Sequence, residues 1–225
     1  ILALVSLLSV GLAHRVAINL KLVKFQKDKL KCFYAAKAAV RKAIGVLAAE
    51  TATVDAITLN QRWSRGYNVT EGDADSIFKD VVVGDARFTI RYPFDDTNEE
   101  APVYFYGMSD EDRKININTA PMNLLRALFE VLELNEPGAL ADAVIYWRGG
   151  NQEAHDASYA STEIPYEASK ALFQAIEELS LVKGFRGNES MIAACSKYLS
   201  VFPRDININT ASSFVLEAVF LSLGA

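Results

Sequence analysis

The chain has 225 residues, of which 51% are hydrophobic, and it carries a formal net charge of −5. That length suffices for one large domain or two small ones with a packed core. The charge is uneven, because residues 1–50 sum to +7 and residues 51–225 to −12. An acidic main body repels phosphate backbones, so composition argues against nucleic-acid binding by that part.

The chain begins with an uncharged run, ILALVSLLSVGLA, over residues 1–13. Thirteen residues are fewer than the roughly 20 that a membrane-spanning helix needs. Since the sequence starts with Ile1 and stops in mid-pattern, we expect a fragment whose apolar run is longer. A secretory signal peptide is the alternative, but helix-forming sequence continues through His14 and Arg15 to about Ala48.

This continuation predicts one helix over residues 1–48, roughly 70 Å long at about 1.5 Å per residue. Its larger apolar side chains recur at helical spacing and predict a face that packs on a globular domain. They are Leu30, Phe33, Val40, Ile44 and Leu47. The lysine-rich stretch 21–31 is either a cytoplasmic flank of a membrane segment or a solvated helix face.

Strand-forming residues follow a polar, turn-rich stretch over 51–78. Runs of β-branched and aromatic residues at 81–83, 86–92 and 103–107 predict a small antiparallel sheet. Residues 95–100 predict a loop, and 109–113 a charged turn.

Two nearly identical phrases follow, KININTAP over 114–121 and DININTAS over 205–212. In each, two isoleucines alternate with asparagines, which predicts inward-pointing isoleucines and a hydrogen-bonded bend. Asn118 and Thr119, with their counterparts Asn209 and Thr210, are good residues for a helix start. The apolar positions that follow match at the same offset, so the phrases predict a repeated unit of capped helix.

Further helices are predicted over 137–147, 168–184 and 189–199, the second ending at Gly184. Residues 114–225 therefore read as an all-helical subdomain. Phrases of this kind also open helix-hairpin-helix modules that bind DNA. Here the link after the first helix holds Glu130, Glu133 and Glu136 with only Gly138, and such carboxylates would repel a phosphate.

Catalytic motifs are absent from the sequence. His14 and His155 are the only histidines, and no metal-ligand spacing, P-loop or dinucleotide turn occurs. Cys32 and Cys195 make no disulfide framework, and the favoured interpretation is two unpaired thiols. We therefore expect a protein that is not an enzyme.

A family resemblance emerges from the order of these features. An apolar helix precedes strands, then DEDRKININTAPMNLLRALFE, AVIYWR, IPYEASKALFQAIEELSLVKGF and a second ININTA. Together they resemble minor pseudopilin K of the type II secretion system, also called general secretion pathway protein K. The most specific pieces are the D-E-x-x-K-I-N-I-N-T-A stretch and the E-E-L-x-x-V-x-G stretch from Glu177 to Gly184.

The resemblance implies an α+β fold, in which a pilin-like long N-terminal helix and small antiparallel sheet carry a large all-helical insertion of helix-hairpin-helix or SAM-like type. It implies an N-terminal anchoring and amphipathic helix over 1–50, a strand region over 51–113 and a helical insertion over 114–225, truncated at its carboxyl end. It also implies a single-pass inner-membrane protein with its bulk in the periplasm. There it would initiate and cap the pseudopilus tip with minor pseudopilins I and J and other secretion-system subunits as partners. We expect no nucleic acid and no small-molecule substrate. The alternative function is a membrane-anchored helix-hairpin-helix protein that binds nucleic acid.

Calcium is a further expectation, since some family members bind it in the helical domain. Calcium takes six to eight oxygen ligands, and the nearby candidates are Asn151, Glu153 and Asp156. Family members commonly carry a W-x-D-x-D pattern, whereas this chain reads Trp147-Arg148-Gly149-Gly150-Asn151. A solvated acidic loop is therefore the favoured interpretation, and no cofactor is certain.

Overall fold

The computed structural model describes residues 2–66, 76–94, 103–150, 159–161, 164–202 and 205–224. The helices are α1 (Leu2–Thr51), α2 (Arg62–Arg65), α3 (Met122–Val131), α4 (Pro137–Trp147), α5 (Glu189–Ser196) and α6 (Ser213–Ser222). Short 3-10 helices cover Glu111–Arg113 and Ile176–Leu181. The strands are β1 (Val81–Val83), β2 (Ala86–Phe88), β3 (Tyr92–Phe94), β4 (Val103–Phe105), β5 (Ile115–Asn116) and β6 (Leu199–Ser200).

The strands form two-stranded sheets rather than one continuous sheet. β1 pairs with β2 in antiparallel register, β3 pairs with β4, and β5 pairs with β6 in parallel. The prediction of a mixed, helix-rich α+β fold with small sheets is confirmed. The prediction that residues 114–225 are all-helical was wrong, because β5 and β6 pair in parallel within that range. Strands of two residues leave no periodicity to detect in the sequence.

The chain divides into two compact units. The first holds residues 1–56, 60–93 and 104–108, and the second holds 57–59, 94–103 and 109–225. In the first unit α1 packs on α2 and β2. The Glu50 carboxylate accepts hydrogen bonds from the backbone N–H groups of Arg62 and Trp63, both at 2.9 Å. The end of α1 thereby fixes the start of α2, with Trp63 buried beside it.

The continuous helix predicted over 1–48 is confirmed, since α1 runs from Leu2 to Thr51. The prediction of its packing face was wrong. Among the side chains of α1 whose burial is described, Ala35 and Ala43 are buried, whereas the five larger apolar side chains are exposed. The small alanines allow close approach to the neighbouring elements, so the bulkier side chains lie on the other side of the helix.

The amino-terminal part of α1 was expected to cross a membrane. Within the described residues, no helix is both long enough and apolar enough to span a bilayer. The predicted transmembrane helix is therefore not found there.

The second unit has a core formed by α3, α4, the second 3-10 helix, α5, α6 and the paired strands β5 and β6. Phe129, Val144, Leu179 and Phe185 are fully buried in it. The helices predicted over 137–147 and 189–199 are confirmed as α4 and α5. The α-helix predicted over 168–184 was wrong, because Lys170 has φ of +49° and only Ile176–Leu181 is helical, in 3-10 geometry.

Both thiols are unpaired, as interpreted from the sequence: Cys32 is exposed and Cys195 is buried. Burial raises the pKa of the Cys195 thiol to about 12. A neutral thiol in an apolar core acts as a small hydrophobic side chain.

Candidate functional site

The first phrase, residues 114–121, lies at the centre of the second unit. The backbone N–H of Ile115 donates to the Tyr198 carbonyl at 2.8 Å, and that of Ile117 donates to the Ser200 carbonyl at 3.0 Å. These bonds form the short parallel ladder with β6. Both isoleucines are fully buried, as predicted.

The asparagines of this phrase hold its bend. The side-chain oxygen of Asn116 accepts from the Asn118 N–H at 2.8 Å, which is an Asx-turn. The Asn118 amide group both donates to and accepts from the backbone of Phe173, at 3.0 and 2.8 Å. The turn is therefore joined to a segment 55 residues further along the chain.

Arg148 closes the same turn from the end of α4. Its two terminal nitrogens donate to the backbone carbonyls of Ile117 at 2.5 Å and Ala120 at 2.6 Å. Burial lowers the pKa of the Arg148 guanidinium. In the sequence, this arginine stood out only as a departure from the W-x-D-x-D pattern, and its contacts with the turn were not predicted. A cation directly after the buried Trp147, at a helix end, was the available signal.

The second phrase, residues 205–212, forms the same bend. The Asn207 side-chain oxygen accepts from the Asn209 N–H at 3.1 Å. The Asn207 carbonyl accepts from the N–H groups of Thr210 and Ala211, as the Asn116 carbonyl does from Thr119 and Ala120. The predicted repeat is thus confirmed in its local backbone geometry.

The surroundings of the second phrase differ. One oxygen of Asp110 accepts from the Asn207 amide at 3.0 Å and from the Thr210 hydroxyl at 2.6 Å. Ile206 is half-buried and Ile208 is 70% exposed. The prediction that both isoleucines of this phrase point inward was therefore wrong.

The predicted helix starts were also displaced. The N-cap of α3 is Pro121, which makes no side-chain cap, and that of α6 is Ser212, whose hydroxyl accepts from the Val215 N–H. Asn118, Thr119, Asn209 and Thr210 instead belong to the bends before the helices. The asparagine side chains form hydrogen bonds within those bends, so the helix N-caps lie two or three residues after the predicted start residues.

The stretch from Glu177 to Gly184 packs against the same core. One oxygen of Glu178 accepts from the N–H groups of Gln174 and Ala175, and the other lies 3.4 Å from the Trp147 indole nitrogen. Gly184 has φ of +88°, and a Cβ there would lie 2.6 Å from the Leu140 side chain. Backbone conformation and space therefore both require glycine at this position.

The calcium candidates Asn151, Glu153 and Asp156 lie outside the described residues. Among the described residues, no group of three or more His, Cys, Asp or Glu side chains could hold a metal ion.

The loop between α3 and α4 was the predicted point of difference from DNA-binding hairpins. It carries Glu133 and Glu136, both exposed, and carboxylates at this place repel nucleic-acid phosphates.

The described site is a pair of hydrogen-bonded bends, each leading into a helix that packs in the core of the second unit. Residues 106–204 match the family model of the type II secretion system, protein K. That segment contains the first phrase, Arg148 and the stretch ending at Gly184. The resemblance to minor pseudopilin K predicted from the sequence is thereby confirmed.

A solved structure shares the fold. One chain of the GspK-GspI-GspJ complex from the type 2 secretion system of enterotoxigenic Escherichia coli superimposes with a TM-score of 0.61. The match has 17% sequence identity and covers 88% of this chain and 69% of that chain. No curated protein sequence matches this chain. The family model and the shared fold together support a pseudopilin role.

Proposed function

We propose that this protein is a structural minor pseudopilin that acts at the tip of the type II secretion pseudopilus by binding pseudopilins I and J. The observation that carries this proposal is an exposed apolar stripe on α1. It consists of Leu30, Phe33, Val40, Ile44 and Leu47, which are between 37% and 61% exposed.

The stripe lies on the side of α1 away from its own unit. Ala35, on the opposite face from Ile44, is 6% exposed, and Ala43, at the edge of the stripe beside Leu47, is 8% exposed. A helix with one buried face and a second apolar face is suited to packing against another helix. Because these side chains are already 37–61% exposed rather than fully exposed, covering each one would contribute at most about half of the roughly 1.5–3 kcal/mol of full burial. Association costs offset part of that gain.

The choice of partners is supported by the structural likeness. The similar chain was solved in complex with GspI and GspJ. A bulky second unit, with its own core, is suited to occupying the end of a fibre, where no further subunit must be added. Initiation and capping would then need shape and contact without chemistry.

We further propose that the amino-terminal end of α1 anchors the protein in the inner membrane as a single pass, with the bulk in the periplasm. The uncharged run over residues 1–13 supports this location. In this proposal residues 1–50 are the anchoring helix, 51–113 the pilin-like strand region and 114–225 the helical insertion.

Co-purification with pseudopilins I and J tests the proposal. The full chain should form a complex with both, and the double variant Phe33→Glu/Ile44→Glu should lose it. Gly45→Glu is the matched control, because no atom lies within 4 Å of a side chain added at Gly45. The absence of any complex with the unaltered chain would overturn the proposal, as would equal loss in the control.

A further inference from the structure

The loop between α3 and α4 borders an open groove of about 800 Å³ in the second unit. Leu134, Leu140 and Met191 supply apolar lining. The charged groups in its lining are Glu133, Glu136 and Lys183. The groove thus combines apolar surface with charges of both signs.

Glu133 and Glu136 are exposed residues of the groove lining. Within the part of the chain that the structure describes, neither carboxylate makes a hydrogen bond or ion pair. Their backbones have φ of +54° and +53°, the left-handed region that favours glycine. Glu136 also precedes Pro137, and the residue before a proline prefers extended backbone. The chain therefore keeps two carboxylates where glycine would fit with less strain.

The residues that line the groove favour some kinds of ligand over others. A metal ion is a poor fit, since no cluster of three or more His, Cys, Asp or Glu ligands occurs among the described residues and apolar side chains contribute to the lining. An acidic segment would meet two unpaired carboxylates and a main body with a charge of −12 over residues 51–225. A basic segment with apolar side chains satisfies both the carboxylates and the apolar lining.

We propose that this groove binds a basic amphipathic helix of a partner protein. Its apolar side chains pack on the half-buried Leu134 and Met191, and a lysine or arginine lies beside Glu133 and Glu136. Lys183 favours the negative carboxyl end of that helix, which gives the bound helix a direction.

A synthetic peptide with the sequence of residues 16–31 is a suitable probe, because it carries five lysines and one aspartate among apolar residues. Its fluorescence anisotropy is measured against the full chain in a non-ionic detergent, with the detergent alone as reference. Saturable binding that weakens as salt is added is the expected result. An analogue with glutamate at the five lysine positions should not bind.

Variants locate the binding. Glu133→Lys/Glu136→Lys should weaken binding about tenfold or more, because two attractive charges become repulsive. Glu167→Lys/Glu217→Lys makes the same charge change at exposed positions outside the groove and should alter binding by less than about twofold. Glu133→Gly/Glu136→Gly should also weaken binding while the melting temperature is kept, because glycine relieves the left-handed backbone.

Three results would overturn the proposal: no saturable binding by the peptide, equal loss in the two lysine variants, or tighter binding of the glutamate analogue. The glycine variant separates lost binding from lost folding, since its fold does not depend on the carboxylates.

Discussion

The two I-N-I-N-T-A phrases of this chain share a backbone conformation but differ in their surroundings. Ile117 of the first is 0% exposed, whereas its counterpart Ile208 is 70% exposed. The helices that follow differ in the same way, since Phe129 is 0% exposed and Phe220 is 61% exposed. Identical residues thus produce the same turn, and the position in the fold decides what that turn stabilises.

The difference follows from the number of neighbours. α3 packs against both α4 and α6, while the main helical contact of α6 is with α3. The Asn123 amide near the start of α3 donates to the Ser222 carbonyl at the end of α6, at 2.8 Å. A helix between two others buries both sides, and a helix with one neighbour leaves an apolar side exposed.

The largest expected difference in stability between the two phrases comes from their isoleucines. Ile117→Ala should lower the free energy of unfolding by about 2–5 kcal/mol, because it leaves a cavity in a packed core. Ile208→Ala should change it by less than about 0.5 kcal/mol. Urea denaturation of both variants measures the contrast, and equal costs would mean that the two phrases do not differ in burial.

Arg148 donates its hydrogen bonds to the first phrase, at the carbonyl groups of Ile117 and Ala120. Arg148→Ala should lower the free energy of unfolding by about 2–3 kcal/mol, because two carbonyl groups lose charge-assisted hydrogen bonds. Arg148→Lys keeps the charge but not the two-pronged geometry, so it should recover less than half of that loss. Full recovery by lysine, seen in thermal denaturation, would show that charge rather than geometry matters.

The threonines show the opposite asymmetry. Thr210 is fully buried and donates to Asp110, whereas its counterpart Thr119 is exposed. Thr210→Val should therefore cost about 1–2 kcal/mol and Thr119→Val much less. Chemical denaturation that ranks the two variants in the reverse order would contradict this assignment of hydrogen bonds.

A smaller effect concerns Cys195, which lies near the end of α5, shortly before β6. Its pKa is raised from 9.0 to about 12 by burial. A raised folded pKa contributes stability that is complete below pH 9 and is lost as pH rises toward 12. At pH 10 the loss should be about 1 kcal/mol.

The control is Cys195→Ala. Its free energy of unfolding should fall less than that of the wild type as the pH rises to 10, because it has no thiol to ionise. In the folded protein at neutral pH, a thiol reagent should modify the exposed Cys32 and leave Cys195 unmodified. Equal alkaline loss in the wild type and the alanine variant would contradict the role given to the thiol.

Local features of this molecule could be predicted from its sequence. The long helix, α4 with Pro137 at its start, and the repeated bend all depend on short-range spacing and on proline and asparagine chemistry. The face of α1 that packs could not be predicted, because Leu30 and Phe33 suggest a core as strongly as Ala35 does. Which face is buried depends on the space beside β2, and that is a property of the tertiary structure.

The candidate site was predictable to the same degree. The phrases were located, and Ile115 and Ile117 were placed correctly. The Arg148 contact and the bond of Asp110 to Thr210, 100 residues apart, could not be predicted. Such pairings depend on how distant segments meet, and no local pattern encodes them.

The exposed stripe of α1 is the surface that we propose binds other pseudopilins. The most direct measurement places a photo-crosslinking amino acid at Ile44 of the full chain in cells that make pseudopilins I and J. We predict cross-linked products containing pseudopilin I or J from position 44 and few from the adjacent position Gly45. Equal products from both positions, or none from position 44, would contradict it.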